Sequence, residues 1–217
     1  MKLLEGCSAL VAALLAISAQ AAVSTNVADA NFIAEQYCDD TWRAISTVAV
    51  APGDPDIDRA KRIVSQLSDT LGDGDWQVVV FSYPRLGWPV MALMGSRVVV
   101  SKEFVDDSND DELGFVFAHE MGHVILGHLQ QRYAALIADA GGRVTRWTQL
   151  ARYARQEWRL YREEEYQADK FGFALAGKAG FDAKDGAYTA LSHLMPDPQH
   201  PTPDERLSAL GLSAARN

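Results

Sequence analysis

The spacing of hydrophobic residues changes along the chain, and these changes predict both helices and strands. Between residues 57 and 71 apolar positions recur every three or four residues, and Gly72 follows, which predicts a helix that ends there. Two short valine-rich runs, 77–82 and Arg97–Ser101, predict strands, because β-branched side chains favour extended backbone. Prolines and a glycine between the two runs predict a break in the chain.

Helical spacing dominates the rest of the chain. Ser108 or Asn109 can cap a helix that begins with acidic residues and runs through Val124. Residues 23–56 show a mixed pattern. The order of elements predicts a single α+β domain, helix-dominated, over residues 22–217. Further helices are predicted, in chain order, over 145–176, 184–194 and 203–210.

The first residues have the pattern of an export signal. Lys2 precedes an apolar run over 10–17, and the small residues Ala19 and Ala21 mark a cleavage site, so residues 1–21 are a predicted signal peptide. The apolar run is too short to span a bilayer comfortably. We therefore expect an exported protein, with the periplasm as its location. Secretion is an alternative, and so is anchoring in the inner membrane if the signal stays uncleaved.

Charge and cysteine content exclude several classes of function. The net charge of −9 argues against nucleic-acid binding, which needs clustered Lys and Arg. The most basic stretch, 143–162, is interleaved with aromatics and followed by three glutamates, so it is interpreted as a solvated helix. Removal of the signal leaves Cys38 alone. One thiol cannot form an internal disulfide, and a packed free cysteine is expected.

Three of the five histidines lie in one segment, FAHEMGHVILGH, over residues 117–128. His119 and His123 are four residues apart and share a helix face, so their two imidazoles can bind one cation. Glu120 lies next to the first ligand and can reach a water molecule there. This H-E-x-x-H spacing on a predicted helix is typical of a catalytic zinc site, which needs a third protein ligand and one open position. The alternative is a helix with two half-buried histidines that bind nothing.

Two positions compete for the third ligand. His128 follows His119 by nine residues, about half a turn out of phase on a helix, so it is interpreted as a helix-end or surface histidine. Glu165 and Asp169 are four residues apart in EEEYQADKFG and share a face. Glu165 is therefore the predicted ligand, and Asp169 is expected to accept a hydrogen bond from a ligating imidazole. The neighbouring glutamates, Glu163 and Glu164, are expected to face solvent.

Four motifs occur in order along residues 90–210: DDELGFVFAHEMGHVILGH, EYQAD, AGFD and HPTPDER. Together they resemble the gluzincin metallopeptidases typified by the CAAX prenyl proteases, HtpX, and the periplasmic BepA and LoiP proteases. The resemblance covers a core of about residues 57–212. It implies a zincin-like metalloprotease domain with a small β-sheet whose edge strand lines the active-site cleft. It also implies one zinc ion per chain, bound by His119, His123 and Glu165, with Glu120 as general base.

The resemblance implies further roles around the cleft. His200 would approach the metal or stabilise the oxyanion, and Arg206 would support the site. As a fourth ligand, His200 would close the site at rest. PVMALMGS, over 89–96, departs from the family pattern and is expected to be a substrate-facing loop. A polypeptide substrate would add as another strand to the family's edge strand, which aligns with Arg97, Val98, Val99, Val100 and Ser101.

The residues and the resemblance together predict a zinc metalloendopeptidase for unfolded or misassembled proteins of the cell envelope. Two alternatives stay open: a zinc-stabilised chaperone or adaptor that captures peptide strands, and another metallohydrolase, such as an amidase of cell-wall peptides. Glu120 favours an enzyme, because a purely structural zinc site needs no general base. The expected partners are polypeptides. We expect no transmembrane domain after signal removal, and peripheral association with the envelope.

Overall fold

The fold is given by a computed structural model that describes residues 29–72, 74–82, 89–141, 144–149, 158–194 and 200–213, with the backbone alone for 158–160. Within these ranges the chain forms helices and one small sheet. The helices are α1 (29–46), α2 (Pro55–Leu71), α3 (Lys102–Asp107), α4 (Asp110–Ile125), α5 (His128–Asp139), α6 (Trp158–Lys178), α7 (Ala183–Ser192) and α8 (Pro203–Ala209). The strands are β1 (Gln77–Phe81), β2 (Val90–Leu93) and β3 (Arg97–Ser101).

This architecture confirms the prediction of a helix-dominated α+β fold with a small sheet. Among the described helices, none combines the length and the hydropathy needed to cross a membrane. The predicted signal segment, residues 1–21, lies outside the described residues.

The sheet has the order β1-β3-β2, with β3 parallel to β1 and antiparallel to β2. The prediction that Arg97–Ser101 is the edge strand is therefore wrong, because this strand is paired on both sides. Of the two outer strands of the described sheet, the one next to Glu120 of α4 is β2, which forms within the stretch that was expected to be a loop. Its residue Met91 lies opposite Val99 of β3.

The two faces of the sheet pack against different helices. Val98 and Val100 lie in the main core with α2 and α4, whereas Val99 faces Cys38 and Ile45 of α1. This alternation follows from the period of two along a strand. Cys38 is a buried free thiol whose sulfur accepts a hydrogen bond from the Met94 amide at 3.3 Å. The expected packed cysteine is confirmed.

α4 lies at the centre of the fold, packed between the sheet, α6 and α7. Its buried residues include Phe117, Ala118 and Met121. The contact with α6 is so close that a Cβ atom on Gly172 would lie 2.7 Å from the His119 backbone nitrogen. Only a glycine permits the two helix backbones to approach in this way.

Two helical regions differ from the prediction, whereas the helix of the histidine motif, predicted to run through Val124, agrees with the structure. Residues 29–46 form a helix where a mixed pattern was noted. The helix predicted over 145–176 begins too early, because Trp147–Gln149 is a separate 3-10 turn. The helix that carries the histidine motif ends at Ile125, and Gly127, with φ of 72°, turns the chain before α5 begins. A positive φ of this kind cannot continue a right-handed helix.

Replacing Gly172 by alanine tests the contact between α4 and α6. Gly172→Ala is expected to lower the free energy of unfolding by about 1–3 kcal/mol, because overpacking forces the helices apart. Gly177→Ala is the matched control on the same helix, where an added methyl would meet only Ala183 Cβ at 3.7 Å. We expect that change to be neutral or stabilising by up to about 1 kcal/mol. Urea unfolding measures the free energy of unfolding of both variants. An equal change in the two variants would contradict the close packing of α4 against α6.

Candidate metal centre and catalytic cleft

Two histidines of α4 and one glutamate of α6 converge on one point. The Nε2 atoms of His119 and His123 lie 3.1 Å apart. Each lies 3.5 Å from a carboxylate oxygen of Glu165. The predicted ligand residues are therefore brought together in space, and they form a group that could hold a metal ion.

The spacing of the two imidazole nitrogens and the two carboxylate oxygens of Glu165 fits a zinc ion. Zinc takes nitrogen and oxygen ligands at about 2.0–2.1 Å in tetrahedral geometry, which separates its ligand atoms by about 3.3–3.4 Å. The observed separations of 3.1 and 3.5 Å bracket that value. Two imidazoles and a carboxylate are also a donor set that zinc accepts while leaving one position open.

Behind the ligands lies a buried network of charged side chains. Nδ1 of His119 lies 3.0 Å from Oδ1 of Asp169. Arg206 of α8 donates two hydrogen bonds to Asp169, at 2.6 and 2.7 Å, and its third nitrogen lies 3.2 Å from Glu165. Asp169 is therefore placed as predicted, and Arg206 acts through it and through Glu165.

Burial and pairing together set the charges of the two carboxylates. Burial opposes ionisation of Asp169, but hydrogen bonds from Arg206 and His119 hold the pKa of its carboxyl below the usual range. Burial also opposes ionisation of Glu165, yet the hydrogen bond with His123 and the positive charges nearby lower its pKa. Both groups are therefore ionised at neutral pH, as a metal ligand and its supporting acceptor require.

The two imidazoles differ in their surroundings. Burial lowers the pKa of His123 to about 4, which leaves its imidazole neutral at pH 7. Burial also disfavours a charged His119, but the hydrogen bond with Asp169 and the adjacent carboxylates raise its pKa. The proton that Asp169 accepts is on Nδ1, so Nε2 of His119 is the atom that faces the metal group.

Glu120 lies between α4 and the edge strand. Its Oε2 accepts a hydrogen bond of 3.3 Å from the Ala92 amide of β2. Burial raises the pKa of Glu120, and the nearby Glu165 charge adds to that increase while His119 opposes it. The carboxyl therefore has a stronger affinity for a proton than an exposed glutamate has.

His128 lies at a helix end, as one of the two interpretations had it, because it is the first residue of α5. The other interpretation, a surface residue, is wrong, because His128 is only 1% exposed. The turn at Gly127 brings it back beside α4, where its Nδ1 lies 2.8 Å from Nδ1 of His123. Its Nε2 lies 3.2 Å from Oε1 of Gln167, so Nε2 donates there and Nδ1 accepts from His123. This arrangement leaves Nε2 of His123 for the metal group. The expectation failed because it assumed an unbroken helix.

Glu163 and Glu164 also differ from each other. Glu163 is exposed, as expected. Glu164 is only 4% exposed and forms an ion pair with Arg132 of α5, so the expectation that it faces solvent is wrong. The guanidinium of Arg132 also lies 4.0 Å over the ring of Tyr161. Glu164 is therefore withdrawn from water, and Arg132 compensates its charge.

Two cavities meet at the metal group, with volumes of about 430 and 1180 Å³. Both are lined by Val90 of the edge strand, Glu120, Glu165 and His200. His200 is therefore at the cleft, as the resemblance implied, and its carbonyl oxygen accepts a hydrogen bond from Arg162 at 3.1 Å. The cleft continues in both directions from Glu120.

A model of the family described as "Peptidase family M48" matches residues 59–213. The chain belongs to peptidase family M48. Members of this family are zinc metallopeptidases, which confirms the family resemblance seen in the sequence. The matched range contains every residue of the metal group and its network, whereas α1 lies outside it.

A crystal structure of Ste24p from S. mikatae is also similar to the chain, with a TM-score of 0.47 and 21% sequence identity. The similarity covers 75% of this chain and 50% of that one, so this M48 chain matches about half the length of Ste24p. No curated protein matches the chain.

Asp169→Asn tests whether the buried network supports metal binding. We expect zinc affinity to fall about 10–100-fold, because a neutral amide holds the His119 imidazole less firmly. Competition with a chromophoric chelator measures the affinity. Glu163→Gln is the matched control, since Glu163 is an exposed carboxylate on the same helix. Unchanged zinc affinity in Asp169→Asn would show that the network is not needed for the metal.

Proposed function

We propose that this M48 protein is a zinc-dependent endopeptidase that cleaves extended segments of polypeptides. The observation that carries the proposal is the position of Glu120, which lies beside the metal group and between two cavities. A substrate can therefore continue past the cleaved bond on both sides. An exopeptidase would instead need one end of the cleft to be closed.

The proposed reaction is general-base hydrolysis of a peptide bond. Zinc held by His119, His123 and Glu165 would supply Lewis-acid activation of a water molecule and of the scissile carbonyl. The Glu120 carboxylate accepts a proton from the water molecule while the water oxygen attacks the carbonyl carbon. Glu120 then delivers this proton to the leaving amide nitrogen. Its raised pKa suits a group that must both take and return a proton.

The edge strand β2 provides a surface for an extended substrate. The Ala92 amide points away from β3 toward Glu120, and no described strand pairs with this side of β2. An added peptide strand would use the backbone groups of this edge for hydrogen bonds. Folded proteins offer few free extended segments, so the proposed substrates are unfolded or misassembled polypeptides.

His200 and Arg206 have different proposed roles. His200 lines both cavities with Glu120, so it is proposed to contact substrate and to hydrogen-bond the developing oxyanion. Arg206 is a positioning residue, because its guanidinium is committed to Asp169 and Glu165. The proposed location is the periplasm, and its support is the signal-like pattern over residues 1–21.

Glu120→Gln tests the proton transfer. We expect the variant to retain zinc and to lose cleavage of a fluorescent casein by about 100-fold or more, because the amide cannot accept the proton. Elemental analysis measures zinc, and a chelator removes the wild-type activity. His119→Ala is the comparison that loses metal as well as activity. A wild-type protein that binds casein and never cleaves it would favour the chaperone alternative.

His200→Ala tests the oxyanion role. The expected result is a fall in kcat of about 100-fold with unchanged zinc content, because one hydrogen-bond donor is lost. His193→Ala is the control, since His193 pairs with Glu112 and does not belong to the group that could hold the metal. An increase in basal cleavage would instead identify His200 as a residue that closes the site.

A further inference from the structure

The smaller cavity extends from the metal group to an aromatic surface. The volume of the whole cavity is about 430 Å³, within the usual range of about 300–1,000 Å³ for ligand pockets. One end of the cavity is lined by Glu120, His123 and Glu165. We call the other end the aromatic pocket. It is lined by Tyr37, Leu129, Tyr133, Leu136, Trp147 and Tyr161.

Part of this pocket comes from outside the M48 match. Tyr37 lies on α1, whereas the family match begins at residue 59. Its ring packs edge-on against Trp147 with centroids 5.2 Å apart, and it lies 6.2 Å from the ring of Tyr133. Its hydroxyl donates to the Met91 sulfur of the edge strand at 3.7 Å. α1 therefore connects the pocket to the strand that is proposed to hold substrate.

α1 also holds Trp147 in place. The indole Nε1 donates a hydrogen bond of 3.0 Å to Oδ2 of Asp40. Trp147 is only partly buried in a short 3-10 turn, and this bond and the edge-on contact with the Tyr37 ring link it to α1. A tryptophan fixed in this manner presents a rigid apolar wall.

The pocket carries little net charge. Among the described residues that line the whole smaller cavity, Arg132 is the one permanent cation, and it is paired with the buried Glu164. The same guanidinium stacks over Tyr161, which covers its face. An acidic substrate side chain would compete with Glu164 for Arg132, whereas an apolar one would contact the aromatic rings.

We propose that the aromatic pocket is a specificity subsite that takes one large apolar side chain of the substrate, aromatic or leucine-like, and that α1 sets this preference. The inference rests on the proposed endopeptidase function, because the pocket opens directly onto Glu120 and the metal group. Burial of an aromatic side chain removes about 150–250 Å² from water, so such a pocket can discriminate strongly by size.

Cleavage-site profiling of a denatured protein mixture by mass spectrometry tests the proposal. The wild type is expected to show large apolar residues enriched at one fixed position relative to the cleaved bond. Trp147→Ala should lower kcat/KM for peptides with Phe or Leu at that position by about tenfold, and should leave Ala peptides nearly unchanged. Phe32→Ala is the control, because Phe32 is an aromatic of α1 that is 55% exposed and does not line the pocket.

Asp40→Ala tests the positioning of Trp147 without removing any pocket side chain. We expect KM for Phe peptides to rise several-fold with kcat nearly unchanged, and Asp40→Asn to restore KM, because its amide oxygen still accepts the indole hydrogen bond. Arg43→Ala is the matched control: it removes the exposed ion pair of Asp40 and leaves Trp147 untouched. Circular dichroism and zinc content check that each variant is folded.

The outcomes separate this inference from the proposed function. Absence of cleavage by the zinc-loaded wild type would overturn the endopeptidase proposal itself. Cleavage with the same profile in the wild type and Trp147→Ala would overturn the subsite while leaving the endopeptidase intact. A wild-type preference for acidic residues at the position that responds to Trp147→Ala would also overturn the subsite.

Discussion

The site depends on the close approach of α4 and α6. The backbone of His119 lies against Gly172, where a single methyl group would not fit. This contact brings the imidazoles of one helix within 3.5 Å of the Glu165 carboxylate on the other. Ligands mounted on packed helices keep their geometry better than ligands on loops, since each rotamer is held by its neighbours. The sheet and α7 pack around α4 and support the same arrangement.

Charge balance is the second constraint on this structure. Two buried carboxylates, Asp169 and Glu165, would be costly in an apolar interior without a compensating charge. Arg206 contacts both, and it is brought there by α8. α8 itself begins with a capping box, in which Thr202 and Glu205 satisfy each other's backbone amides. The last described helix thus supports the candidate metal site, although it contributes no candidate ligand.

Much of the fold follows from local pattern. The bounds of β1, β3, α7 and α8 agree with the predictions to within about two residues, because their apolar spacing matches the period of each element. α1 has the same helical spacing, at Ala30, Ile33, Ala34 and Cys38, and could have been recognised. β2 could not, because it has only four residues and lacks a clean alternation of buried and exposed positions. Its pairing partner, not its own sequence, makes it a strand.

The sequence by itself indicated that His119 and His123 could bind one metal ion together, because residues four apart on a helix share a face whatever surrounds them. It indicated Glu165 as the third candidate through the EYQAD motif. It also indicated Asp169 by the same spacing from Glu165. Only the tertiary structure decided three other features: β2 is the edge strand next to Glu120, His128 contacts His123, and Glu164 is buried against Arg132. Each of these depends on contacts between elements distant in the chain or on a turn that reverses its direction. Local periodicity carries no information about such contacts, so the aromatic pocket between α1, α5 and Trp147 was also visible only in three dimensions.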